Sequence, residues 1–555
     1  MPQVVVPVYT GKQQVMEDYT FMEKKGEGAF GKVNTVKHKR SGILRACKAI
    51  AMPDKEMKEL VDTEITLMKS VDHPNILRLY ETYYDGDAQV FLVTELCNGG
   101  SLFDRLAFHT RQLKKPMSEK QSARYIQETL QALAYCHSMK IVHRDIKPDN
   151  VLFVSKSANS TVKVCDLGLS DFMDKIEKAA KTVKINPDKE KINDDLRRTI
   201  GFKSDKSNPL IRKVMAKAGT PHYMPAEMHH RAWYDYKADV FACGVMLYQM
   251  LTTVHPFFIP GKDNADTARM KIVVGKVDYP SDLWNDVSPL GKQITEQMLA
   301  CDPDDRLSSF DALKHKWFES ALKIENTETL RNSTVENVVS FVKYGKLKQA
   351  VLRLLAKEVS EDEIEQLKMQ FTLLDKDGDG IVSLEEVLKA AGNAKVNVSK
   401  RELEQTLFAL HAPGTNVKDT ALQIGLNYRD FIGALLEKKV KIDEGHLREI
   451  FKRFEDAKQE GFVTTESLKE TLKMHRKKGD AVVEEELNAN EIAELIGGAQ
   501  KVDFHRFKTL VYNNIKEDAY MPSVMLQKSE KEKVASEQKV ASEISTCLSE
   551  NYAQS

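Results

Sequence analysis

The 555-residue chain has no excess of either charge: Lys+Arg and Asp+Glu both number 82. No net field therefore draws it to nucleic acid or to an anionic membrane surface. Cysteine is sparse and unpaired. The seven residues Cys47, Cys97, Cys136, Cys165, Cys243, Cys301 and Cys547 are scattered, and none stands in a C-x-x-C pair. That argues against a zinc site or a disulfide framework and leaves reduced thiols in a cytoplasmic protein as the expectation. No apolar run reaches the ~20 residues that span a bilayer. The opening Met1-Pro2-Gln3-Val4-Val5-Val6 lacks the basic start of a signal peptide, and Pro2 stands where N-myristoylation needs Gly. What is present is an ordinary globular composition, 42% apolar and 30% charged. The length allows about two to four domains in an expected monomer.

Residues 1–18 form a short lead-in of unassigned role. From residue 19, β-like alternation surrounds a glycine-rich loop, a helical stretch covers residues 55–70, and further strands follow, one at residues 90–95. After Gly99-Gly100 the pattern turns helical. This predicts an α+β domain over residues 19–318, with a small β-rich lobe joined to a larger helical lobe. Residues 319–360 are basic and amphipathic, and residues 361–515 read as an all-α domain. Residues 516–555, rich in Ser, Glu, Lys and Gln, read as a disordered tail.

Three motifs in the first domain carry chemistry. Gly26-Glu27-Gly28-Ala29-Phe30-Gly31-Lys32-Val33 fits G-x-G-x-x-G-x-V, whose glycines let backbone amides approach phosphate oxygens. A dinucleotide-binding loop would open a helix, whereas this one runs into the alternating Val33-Asn34-Thr35-Val36-Lys37. His143-Arg144-Asp145-Ile146-Lys147-Pro148-Asp149-Asn150 sets a carboxylate that can accept a hydroxyl proton, Asp145, five residues before a metal ligand, Asn150. Asp166-Leu167-Gly168 supplies a second metal ligand. Mg²⁺ suits these oxygen donors, with ATP phosphates completing its shell.

Together these motifs resemble the protein kinases of the Ser/Thr type. The resemblance implies that Lys48 pairs the α/β-phosphates of ATP and is held by Glu64, that Lys147 contacts the transferred phosphoryl group, and that Glu95 and Cys97 complete the nucleotide-binding set. It also implies that Gly219-Thr220-Pro221 docks the substrate residue, that Asp239 braces the catalytic loop, and that Arg306 pairs with Glu227. Leu167 replaces the usual Phe, and Pro225-Ala226-Glu227 replaces the usual Ala-Pro-Glu. Between Gly168 and Gly219 the activation segment carries a Lys/Arg-rich insertion at about residues 171–218. It reads as a mobile loop, or as a regulatory element phosphorylated at Thr182, Thr199 or Ser204 with Arg144 as receiver.

Asp375-Lys376-Asp377-Gly378-Asp379-Gly380-Ile381-Val382-Ser383-Leu384-Glu385-Glu386 matches every defining position of an EF-hand loop. Asp375, Asp377, Asp379, the Ile381 carbonyl, Ser383 and the bidentate Glu386 are the expected Ca²⁺ ligands. Three later traces are damaged. Ala421 and Gln423 replace carboxylates in the second, Ser467 replaces the bidentate Glu in the third, and Arg506 takes the last ligand position in the fourth. They read as hands that pack without binding. Ahead of them Val335, Val338, Val339 and Val342 fall on one helical face, and Leu347, Val351, Leu354 and Leu355 form a second stripe, flanked by Lys343, Lys346, Lys348 and Arg353. A basic amphipathic helix suits a calmodulin-like groove.

Kinase motifs, basic junction and EF-hand region, in that order, resemble the calcium-dependent protein kinases of plants and apicomplexan parasites over residues 19–515. The resemblance implies a junction that blocks the kinase at low calcium and is withdrawn by the EF-hand region when calcium binds. Two other readings stand beside it: an active kinase independent of calcium whose hands are a docking module, and a pseudokinase scaffold or calcium-binding adaptor. Members of the family often read a basic residue upstream of the target through a Glu after Gly-Gly. Here Ser101 stands there, so a weaker basic preference is expected, with Asp149 as remaining acidity.

Overall fold

The computed structural model describes residues 8–10, 14–28, 31–39, 42–168, 170–172, 220–230, 235–322, 330–342, 348–349, 351–352, 361–396, 425–439, 444–456, 459–471, 474–478, 481–485 and 499–512. The body of the activation-segment insertion and its candidate phosphorylation sites lie outside these residues. So do Ala29, Phe30, Gly219, Ala421, Gln423, much of the junction and the C-terminal tail.

Six strands make the small lobe's sheet: Val8–Thr10 (β1), Tyr19–Gly28 (β2), Gly31–His38 (β3), Leu44–Ala51 (β4), Leu79–Asp85 (β5) and Gln89–Thr94 (β6), in the order β1-β5-β6-β4-β3-β2. All neighbours are antiparallel except β1, which adds to the β5 edge in parallel. The lead-in thus acquires a role that its three-residue apolar signal was too short to reveal. Gly28 faces Gly31 at the β2–β3 turn, and Val33 lies opposite Lys48. Helix α1 (Lys55–Ser70) packs on this sheet; Asp54 caps it by accepting the Met57 N–H at 2.8 Å.

The large lobe is helical. Helix α2 (Leu102–Phe108) starts in a capping box in which Ser101 and Asp104 satisfy each other's backbone N–H groups. Helix α3 (Glu119–Ser138) buries a broad face, and α4 (Lys237–Thr252) is buried nearly all round, as expected of a helix apolar on every side. One core runs through both lobes, from Ile50 and Ile65 to Val245 and Phe318. Short strands Ile141–Val142 (β7), Val151–Phe153 (β8), Val162–Val164 (β9) and Asp171–Phe172 (β10) frame the cleft.

A second core belongs to the C-terminal region. The junction helix α5 (Asn332–Val342) packs against α7 (Leu384–Ala394) and α8 (Tyr428–Lys439), while α6 (Glu361–Leu374) enters the first hand. Val335, Val338, Val339, Phe341, Val351 and Leu352 are buried there among Leu367, Phe371, Phe431 and Leu435. Gly433 makes the fit close: a Cβ on it would lie 3.4 Å from both the Phe341 ring and the Leu352 backbone. Gln370 holds the start of α5 by accepting from the Arg331 N–H at 2.9 Å and the Thr334 hydroxyl at 3.1 Å.

Helices dominate this region, but short strands join its loops. Ile381–Ser383 (β11) pairs with Gly425–Asn427 (β12), and Glu455–Asp456 (β13), Gln459–Thr464 (β14) and Lys501–Asp503 (β17) form a three-stranded sheet. Paired loops therefore qualify the all-α expectation. A further hairpin, Met474–Lys478 (β15) with Ala481–Glu485 (β16), went unread because its first strand is His-Arg-Lys-Lys rather than β-branched.

Candidate active site and calcium loop

The catalytic loop is fixed from below by α4. Asp239 accepts the His143 and Arg144 N–H groups, both at 2.9 Å, and lies 3.0 Å from His137 Nε2. Burial works against its ionised form, yet the His137 contact and the backbone donors carry its pKa below the ordinary carboxylate value. This brace holds Arg144 at φ 70°, in the left-handed region, so the following Asp145 is aimed into the cleft.

Asp145 is nearly buried and heavily hydrogen-bonded. Its Oδ1 accepts from the Thr220 N–H at 2.9 Å and hydroxyl at 3.3 Å; its Oδ2 lies 2.5 Å from Lys147 Nζ and 3.2 Å from Asn150 Nδ2. Asn150 Nδ2 also donates to the Asp145 carbonyl at 2.8 Å. That directs the amide nitrogen inward and leaves Oδ1 as a metal-type ligand. Asp145, Lys147 and Asn150 thus converge as the motif spacing predicts.

Across the cleft, Lys48 Nζ lies 3.0 Å from Glu64 Oε1. Burial opposes the ammonium, but Glu64 first and then Asp166 raise its pKa above the ordinary lysine value. Asp166 sits at φ 68°, and its Oδ1 is buried with no hydrogen-bond partner among the described residues. A buried carboxylate oxygen without a donor is costly; a divalent cation would satisfy it. A Cβ at Gly168 would stand 3.2 Å from that oxygen and 3.3 Å from Glu64 Oε2, so glycine keeps this corner open. Leu167 is buried in the common core, which is what its replacement of Phe requires.

Gly26, Gly28, Gly31 and Val33 lie on the β2–β3 hairpin, and a Cβ at Gly31 would fall 2.0 Å from the Ala49 carbonyl oxygen. Any side chain there would part the loop from the strand carrying Lys48. The Glu95 side chain is engaged away from any nucleotide contact. It is buried 2.6 Å from Lys163 Nζ, and its Oε2 accepts the Arg78 N–H at 3.4 Å. Only its main chain is left to meet a nucleotide, because an isolated carboxylate buried behind the cleft needs a cation. Cys97 is partly exposed in the segment between the lobes. The Glu227–Arg306 pair forms despite the Pro-Ala exchange, at 2.6 and 3.2 Å. Two contacts escaped the motifs: Thr220 on Asp145, and Lys163 on Glu95. Neither has a sequence signal apart from the fold that joins them.

In the first hand, α6 ends at Leu374 and delivers Asp375, which accepts the Gly378 N–H at 2.9 Å and the Gly380 N–H at 3.0 Å. Gly378 and Gly380 have φ of 72° and 79°, the region that favours glycine. Asp377 Oδ1 and Asp379 Oδ1 accept the Asp379 and Ile381 N–H groups at 3.2 and 2.8 Å. Ser383 and Glu386 form a capping box at the start of α7, with the Ser383 hydroxyl 2.9 Å from Glu386 Oε2. Oxygens of Asp375, Asp377 and Glu386 lie within 4.8 Å of one another. Burial, then Asp379 and Glu386, push Asp375 up to about 8; burial, then Asp377, push Asp379 up to about 7. Carboxylates that repel one another in this way fit a hard divalent cation. In the third hand Ser467 bonds back to Thr464, and in the fourth Asp503 accepts the Arg506 N–H at 2.8 Å. Neither position offers the bidentate carboxylate that Glu386 supplies in the first hand.

A family model described as the protein kinase domain matches residues 19–318. Calcium-dependent protein kinase 34 of Arabidopsis thaliana is 31% identical over 465 residues, covering 83% of this chain and 78% of its own. This chain belongs to the calcium-dependent protein kinase family. Calcium-dependent protein kinase 5 of Plasmodium falciparum (isolate 3D7) is 30% identical over 450 residues, covering 80% and 69%. Membership makes this kinase a protein kinase of the Ser/Thr type, with ATP and Mg²⁺ as the implied nucleotide and metal. Among the described residues no helix is long and apolar enough to cross a membrane.

Proposed function

We propose that this kinase transfers the γ-phosphoryl group of ATP to Ser/Thr hydroxyls of proteins under calcium control, with the junction as the blocking element. Asn150 and Asp166 would hold Mg²⁺, which would supply charge neutralisation for the phosphates. Lys48, set by Glu64, orients the nucleotide. Asp145 accepts the substrate hydroxyl's proton, and Lys147, beside it, neutralises charge on the transferred group. Thr220, bonded to the same carboxylate, ties the substrate-docking segment to the base.

The observation that carries calcium control is the seat of α5. Its apolar face is buried in the groove of the first two hands, and on this reading a junction held there leaves the cleft free. The hand that offers this groove is also the one whose carboxylates converge. Calcium at Asp375, Asp377, Asp379, Ile381, Ser383 and Glu386 favours that seat, and loss of calcium frees the junction to block the kinase. The Ser101 hydroxyl is engaged with Asp104, while Asp149 stays exposed; a weak preference for basic residues upstream of the target follows.

The test is phosphate incorporation into a general protein substrate, with calcium and with excess chelator, beside Asp145→Asn. Calcium-stimulated labelling that vanishes in the variant is expected. Equal labelling in both conditions would refute calcium control, and no labelling by folded protein would refute the kinase assignment.

A further inference from the structure

The calcium loop of the first hand lies directly on the catalytic domain. A Cβ at Gly380 would stand 2.6 Å from ring carbons of both His73 and Tyr135, and one at Gly378 would stand 3.4 Å from Leu313. His73 and Tyr135 are stacked with ring centroids 5.3 Å apart. Ile381 packs against the catalytic core. On α6, Lys368 reaches across to Glu128 on α3, at 3.4 Å. On α8, the Tyr428 ring lies 5.7 Å from the Arg78 guanidinium.

Residues 71–78, the loop between α1 and β5, take part directly through His73 and Arg78 and are bonded to two of the other contact residues, Tyr135 and Glu128. The Asp72 N–H donates to the Tyr135 hydroxyl at 3.0 Å. Asn75 Nδ2 donates to Glu128 Oε2 at 3.0 Å, and the same oxygen accepts the Val162 N–H at 2.7 Å. The Val164 N–H donates to the Asn75 carbonyl at 2.7 Å. Val164 stands two residues before Asp166, and α1, which ends at the loop, carries Glu64. The ring pair under Gly380 is therefore linked, through these hydrogen bonds and short stretches of chain, to the segment that carries Asp166 and the helix that carries Glu64. Gly380 in turn donates its N–H to Asp375, the first calcium ligand.

We propose that residues 71–78 couple the first hand to the nucleotide site, so that calcium and the Mg²⁺-nucleotide complex tighten each other's binding, with His73, Tyr135 and Lys368 as positioning residues. The inference rests on the calcium-regulated reading above and adds a second route to it, separate from the junction. Order in the loop is shared: a filled hand presses it from one side, and a filled cleft fixes Asp166 and Glu64 on the other. Reciprocity follows from linkage, since whatever calcium does for nucleotide affinity nucleotide must do for calcium affinity.

The experiment measures calcium affinity of the full chain by competition with a fluorescent chelator, at fixed Mg²⁺, with and without a non-hydrolysable ATP analogue. The analogue should tighten calcium binding by about fivefold or more, the lower end of typical coupling. Lys368→Met keeps a helix-compatible chain of similar length; it should still bind calcium but lose most of that ratio. Hydrogen exchange needs no variant: calcium should protect the amides of residues 72–78 in the unaltered protein. A nucleotide-independent calcium affinity, an undiminished ratio in Lys368→Met, or unprotected loop amides would each overturn the coupling. Calcium that stimulates phosphotransfer but ignores the nucleotide sinks only this inference, whereas calcium that binds without stimulating sinks the regulatory reading.

Discussion

Arg306→Met tests whether the large lobe depends on a single buried ion pair. All three nitrogens of Arg306 are in use: Nη1 and Nη2 donate to Glu227 at 2.6 and 3.2 Å, and the carbonyls of Ala300, Lys237 and Cys301 accept at 2.9, 3.1 and 3.2 Å. Both side chains are almost fully buried. Met fills much of the volume but leaves the Glu227 carboxylate uncompensated. Removing one partner of such a pair costs about 3–5 kcal/mol. At the roughly 2–4 °C per kcal/mol typical of large domains, this is a drop of about 6–20 °C. Thermal unfolding followed by circular dichroism, at fixed nucleotide and calcium, reads it. The double variant Glu227→Met with Arg306→Met should recover much of the loss, because neither charge then remains buried alone. A single variant that loses under about 1 kcal/mol, or a double variant as unstable as the two singles summed, would refute the argument.

Three further outcomes follow from the site. Asp145→Asn should lower kcat by about 10²–10⁴-fold, with nucleotide affinity preserved, measured by radiolabel transfer and by titration with a fluorescent nucleotide. Glu64→Gln removes the charge 3.0 Å from Lys48 and should cost about 1.5–3 kcal/mol of transition-state stabilisation, roughly 10–100-fold in kcat/KM for ATP; an unchanged kcat/KM would show that Lys48 needs no partner. Asp375 and Asp379 have pKa values of about 8 and about 7 without metal, so at pH 7 calcium must displace protons. Calcium affinity should then rise with pH between about 6 and 8. Without calcium the sign for folding is opposite: groups raised above their unfolded values favour the folded state at low pH, and that contribution is lost as pH climbs toward 8. Calorimetry in two buffers of different ionisation enthalpy counts the protons, and identical heats would contradict the shifts.

The active site was legible because its chemistry is local in sequence. Asp145, Lys147 and Asn150 sit within one turn-rich stretch, and the loop from Gly26 to Val33 declares its own backbone. The calcium loop was legible for the same reason, its six candidate ligands lying within twelve consecutive residues. What could not be read joins distant residues without a motif. Thr220 meets Asp145 across 75 positions, Lys163 takes up the Glu95 side chain, and Lys368 reaches Glu128 across 240. For Glu95, position beside the cleft is visible in the chain, but the direction of its side chain depends on what packs behind it. The valine stripe of the junction predicted an apolar face; only the fold shows Gly433 admitting Phe341 and Leu352.

The proposed single competent hand would set a limit on the switch. Moving a two-state equilibrium from 1:99 to 99:1 takes about 5.5 kcal/mol of differential binding. A single site that binds one state only, at calcium a hundredfold above its Kd, supplies about 2.7 kcal/mol. The apolar seat of the junction adds its own stabilisation to that of the ion. Val335, Val338, Phe341, Val351 and Leu352 are all nearly inaccessible in it, and each contributes about 1.5–3 kcal/mol when fully buried. Seating and calcium therefore act together, and the calcium-free kinase should retain measurable activity. Stimulation should stay within about 100-fold at that calcium level. Its calcium dependence should show a Hill coefficient near 1, since a second site is needed to exceed it. Glu386→Gln should abolish the stimulation and leave the basal rate. A coefficient of 2 in the activity curve would require a second binding hand and would overturn the reading of the loops that carry Ser467 and Arg506 in place of the last carboxylate.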